Sequence, residues 1–112
     1  MPSNRPTIVS RKLLAIDANG REFEVTIAIG APYEVAEAEW ACPASMEGLH
    51  RLRDVRGIDS WQAMQLAHQL IAMVLSSFVE DGGRLKWLDE LISPDQLFPR
   101  TGGPEVTLPD VR

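Results

Sequence analysis

Cys42, His50 and His68 carry the side chains best suited to covalent chemistry, and Cys42 is the single cysteine of the chain. A nucleophilic cysteine needs a base in hydrogen-bond reach and surroundings that lower its pKa. One histidine falls on an expected strand and the other on an expected helix, and no local motif ties either to Cys42. The preferred reading is therefore bland: a half-buried cysteine acting as a small hydrophobe. An enzyme or small-ligand binder, using Cys42 with a histidine brought near by folding, is the alternative. One cysteine and two scattered histidines do not make a zinc-ligand spacing, so no metal or cofactor is expected.

Asp59, Gln62 and Gln65 open a helix-like stretch. A helix N-terminus can hold an anion, but Asp59 as N-cap already supplies negative charge there, and capping is its expected role. Gly82-Gly83 and Gly102-Gly103 do not lie between a strand and a helix, so neither resembles a phosphate loop. Trp61 is the sharper clue. Tryptophan is enriched at interface hot spots, and Trp61 is offset from the apolar stripe of its helix, whereas Trp40 and Trp87 read as core. Glu34, Glu37 and Glu39 form an acidic set with no evident acid–base pairing, suited to solubility or to a basic partner. The candidate contact surface is thus Trp61, Gln62, Gln65, Glu34, Glu37 and Glu39.

The elements that must position these residues follow from composition and period. At 112 residues, 45% apolar and 24% charged, the chain reads as a single globular domain able to bury a core without disulfide or metal. Its net charge of −5 argues against a nucleic-acid surface. The densest basic run, His50 to Arg56, alternates like one face of a strand. The N-terminus lacks the apolar core of a signal peptide, and no apolar run approaches the ~20 residues of a membrane span. A cytoplasmic location without membrane contact is expected.

Residues 1–6 read as a loose lead-in. Ile8 to Ile16 is strand-like, and Phe23, Val25, Ile27 and Ile29 alternate with polar or small residues. Asp17-Ala18-Asn19-Gly20 between them has the residues of a type I turn, so the two strands form a hairpin. A three-residue loop pairs Ala15 with Phe23 and Leu13 with Val25. A two-residue loop pairs Ile16 with Phe23 and Leu14 with Val25. The first also sets Asp17 opposite Arg21 and is preferred. Glu34 to Glu39 reads as a loop or short turn, Trp40 to Met46 as a third strand carrying Pro43, and Leu49 to Val55 as a fourth. From Asp59 the spacing predicts a helix over about 60–81. Ala63, Met64, Ala67, Leu70, Ile71, Val74, Leu75 and Phe78 form its apolar stripe, and Gly82-Gly83 ends it. Arg84 to Trp87 is a candidate last strand, Leu97-Phe98 is expected to dock on the body, and about 99–112 is a tail or edge segment.

Two blocks, Trp40-Ala-Cys-Pro43 leading to Glu47-Gly48-Leu49 and Gly57-Ile-Asp-Ser-Trp-Gln-Ala-Met-Gln-Leu-Ala67, resemble a family of small uncharacterised bacterial domains. Leu85-Lys86-Trp87 is similar to that family's strand after the helix. The likeness spans roughly residues 8 to 88 and implies no activity, ligand or partner. Trp61, where an aliphatic residue is usual, and the long C-terminal tail depart from it.

The expected fold is α+β, an antiparallel sheet of four or five strands with one long helix packed across one face. The expected function is that of a non-catalytic binding or accessory domain acting through its surface, as an immunity protein neutralises a basic partner. A self-associating domain, pairing as a homodimer through a sheet edge or the tail, is the further alternative.

Overall fold

The computed structural model describes residues 6–97. β1 (Thr7–Ile16) and β2 (Glu22–Gly30) form an antiparallel hairpin with Ala15 opposite Phe23 and Leu13 opposite Val25, the three-residue-loop register. The turn fixes that register. The Asp17 carboxylate accepts from the backbone N–H groups of Asn19 and Arg21, each at 2.9 Å. Gly20 then takes φ +86°, a left-handed value that side chains resist. The register sends Leu13, Ala15, Val25 and Ile29 to one buried face.

The chain next forms a second, smaller sheet. β3 (Tyr33–Ala36) and β4 (Glu39–Cys42) are a hairpin, so the expected loop over Glu34 to Glu39 is instead strand, turn and strand. No alternation betrays β3, because Glu34, Val35 and Ala36 are all exposed on a sheet edge. The expected strand Trp40 to Met46 divides at Pro43. Proline supplies no ladder N–H, and the chain changes sheets there: β4 belongs to the small sheet, while β5 (Ala44–Glu47) pairs with β2. The Pro43 carbonyl accepts from Gly30 N–H at 2.9 Å and seals the crossing. The expected strand Leu49 to Val55 is mostly irregular, and only β6 (Val55–Gly57) pairs, alongside β4.

α1 (Ser60–Glu80) packs against both sheets, touching β4 and β6 of the small one and β5, β2 and the strand that follows the helix in the large one. Asp59 caps it, accepting from Gln62 N–H at 2.8 Å, and Gln62 Oε1 reaches back to Ile58 N–H at 2.9 Å, one residue before the usual reciprocal bond. At the other end Gly83 N–H bonds Phe78 O and Gly82 N–H bonds Val79 O, a Schellman ending with Gly82 at φ +100°. Ala63, Ala67, Ile71 and Leu75 are the buried line of the stripe. Ile71 and Leu75 each contribute roughly 2 kcal/mol by burial. The alanines let the backbones approach. A Cβ on Gly57 would lie 2.5 Å from Ala63 N, so glycine is required where β6 meets the first turns of the helix.

β7 (Arg84–Trp87) returns antiparallel to β1, as expected, with Leu85 opposite Ala15. Two elements follow that periodicity did not indicate, β8 (Glu90–Ile92) and the short α2 (Pro94–Leu97). Among the described residues the main sheet therefore has five strands in the order β5-β2-β1-β7-β8, and the small one three, β3-β4-β6. All pairings are antiparallel. Leu97 packs against the core, while Phe98, the lead-in through residue 5 and the segment from 99 lie outside the described residues.

Candidate functional site

Side-chain chemistry collects in three places, and the first is Cys42. The thiol is fully buried, beyond the expected half-burial, because β4 runs under α1. Its hydrogen-bond partners are the carbonyls of Gly30 at 3.5 Å and Pro43 at 3.8 Å. Burial raises its pKa above the ordinary 9.0, and the Asp54 carboxylate adds to the rise. A nucleophilic thiol needs the opposite shift. Ionisation is also easier in the unfolded chain, so this thiol lowers stability as pH climbs past 9.0 and is neutral below it. His50 lies after β5, in a surface depression of residues 45–52. His68 lies midway along α1, its Nδ1–H donating to Met64 O at 3.0 Å. Three separate elements thus hold Cys42, His50 and His68, and neither partner of the thiol is a histidine.

The second place is the start of α1. Trp61 is 75% exposed and Ile58 62%, an apolar pair on a helix end fixed by both capping bonds. Gln65, one turn on, is exposed beside Trp61. Gln62 is half-buried and committed to Ile58. The Asp59 carboxylate is occupied by Gln62 N–H. Glu34 and Glu37 are exposed on β3 and its turn, and Glu39 pairs with Arg56 at 2.7 Å. Since β6 and β4 touch α1 and β3 is the far strand, Glu34 stands about 10 Å from β6 across the sheet. Glu34 thus lies on the edge strand farthest from β6, whereas Glu39, on the central strand, is tied to β6 through Arg56.

The third place was not evident from motifs. A cavity of about 250 Å³ opens between α1, β1, β2 and α2. Val9, Ile27, Ile71 and Leu97 contribute to its apolar wall, and Ser10, Arg11 and His68 are its polar or charged lining residues. The structure thus brings His68 to Arg11's cavity. The signal was present in the strand pattern: Arg11 falls in register with Leu13 and Ala15, a cation on the helix-facing side. Nearby, Trp87 leaves the core it was expected to join. It is 37% exposed, with the Arg11 guanidinium 3.9 Å from its ring centroid.

Fold and site define a small α+β unit, a capped helix laid on antiparallel sheets, with an exposed apolar helix end and an apolar cavity among the described residues. The chain belongs to the DUF6968 family, described as a domain of unknown function, whose model matches residues 9–96. That span takes in both sheets and α1. No curated protein and no solved structure matches the chain.

Proposed function

We propose that this is a non-catalytic binding domain of the bacterial cytoplasm, acting by surface contact with a basic protein partner. The observation that carries the reading is Trp61, a large indole 75% exposed on a rigid, doubly capped helix start. Covering that ring in a complex would gain roughly 4 kcal/mol, enough to anchor an interface. The net charge of −5 and the exposed Glu34 and Glu37 favour a basic partner and speed its approach. The likeness to immunity proteins that neutralise a basic partner is one of charge and size. The buried thiol with its raised pKa weighs against the enzyme that would use Cys42.

A photo-reactive side chain placed at position 61 in cells tests the reading. It should crosslink one basic protein, and Trp61→Ala should weaken the purified pair at least tenfold without lowering the melting temperature. The Glu34→Lys and Glu37→Lys pair should slow association. A crosslink pattern at 61 no different from that at exposed Gln69 would overturn the proposal. A crosslink to a second copy, with a dimer that Trp61→Ala dissolves, would replace it by self-association.

A further inference from the structure

We propose that the cavity between α1 and the β1–β2 hairpin is a binding site for a small apolar carboxylate, held by the guanidinium of Arg11. The argument begins with where the cation sits. Strand alternation places Arg11 on the face that carries buried Leu13 and Ala15, directly across the ladder from Ile27. A half-buried charge on such a face is costly unless something compensates it. Lys12, Arg21 and Arg56 each have a carboxylate, in Glu24, Asp17 and Glu39. Among the described residues no carboxylate lies within 4.0 Å of Arg11.

What Arg11 has instead is Trp87. Its guanidinium carbon lies 3.9 Å from the indole centroid, so the ring covers one side of the group and leaves N–H donors for an acceptor. A planar fork of this kind matches a carboxylate with two parallel hydrogen bonds. The rest of the cavity fits an apolar body, with Val9, Ile27, Ile71 and Leu97 on its walls. His68 adds a polar edge, its ring oriented by the bond from Nδ1–H to Met64 O.

Size and charge narrow the class further. At about 250 Å³ the space suits a ligand of about ten non-hydrogen atoms. A phosphate ester would bring up to two negative charges against the single positive charge of Arg11. A singly charged acid with a short aliphatic or aromatic body meets both limits.

Octanoate is a suitable probe, and octanamide, nearly the same shape without the charge, is its control. Titrating each into the full chain, followed by amide chemical shifts, should give saturable binding of octanoate at about 0.1–1 mM. The shifts should centre on Val9, Arg11, Ile27 and His68, and octanamide should bind at least tenfold more weakly. Arg11→Gln should abolish that preference, and Arg11→Lys should restore only part of it. Equal binding of acid and amide, saturation elsewhere on the surface, or no saturation at all would overturn the proposal. The comparison of two ligands on the unaltered chain stands even if a variant folds poorly.

Discussion

The hairpins β1–β2 and β7–β8 solve the same problem in opposite ways. In the first, a glycine at φ +86° takes the left-handed position, and Asp17 gathers two backbone N–H groups and its own backbone bond to Arg21. In the second, Trp87 pairs with Glu90, and the two residues between them, Leu88 and Asp89, both adopt positive φ, at 52° and 65°. That is a two-residue loop of the mirror type, which normally takes Asn-Gly. Aspartate tolerates the left-handed region, but leucine does not. Leu88 is also 75% exposed, so packing does not compensate the strain. The first hairpin is held by its turn. The second is held by its neighbours: Leu85 is buried against Ala15, and Trp87 lies under Arg11.

If this contrast is right, the first turn is the sensitive one. Gly20→Val should destabilise the protein by about 2 kcal/mol, because a β-branched residue is forced into the left-handed region. Open space surrounds a Cβ at this position, so the loss would come from backbone strain and not from a clash. Chemical denaturation checks it. A loss no greater than that of an ordinary surface substitution would show that β1–β2 too is carried by its strands.

The same contrast explains what could be read from the chain. The register of β1–β2 was legible because Asp17 and Gly20 are chemically committed turn residues. The helix was legible because its stripe, its Asp59 cap and its Gly82 ending agree with one another. β8 was not, because Leu88-Asp89 carries no turn signal. β3 hid on an exposed edge, and the change of sheet at Pro43 depends on tertiary pairing that a proline announces only as a break. At the candidate sites, Trp61 stood out by its offset from the stripe and is exposed. In the sequence Glu39 looks like a companion of Glu34 and Glu37, yet Arg56, on a strand two elements later, pairs with it. Arg11 carries no sequence signal of its own, because a cation in an alternating strand is ordinary until the helix-facing side is known.

The last hairpin should respond in the other direction. Replacing Leu88-Asp89 by Asn-Gly gives the loop the residues its backbone favours and should stabilise the protein by about 1 kcal/mol. A gain of that size raises the melting temperature by about 5 °C in a domain of this length. Destabilisation would mean that the Leu88 side chain has a packing role that its exposure conceals.

The smallest effect tests which part of the first turn matters. Arg21 and Asp17 form an ion pair at 3.9 Å, with the arginine side chain 76% exposed. Asp17 also accepts from Arg21's backbone N–H, and this bond survives any substitution except proline. Screening and side-chain entropy leave an exposed pair little net value. Arg21→Gln should therefore change stability by less than about 0.5 kcal/mol, and added salt should remove most of that. A loss comparable with Gly20→Val would move the origin of the hairpin's register from the backbone turn to the ion pair. The two hairpins would then differ in charge, and no longer in turn conformation.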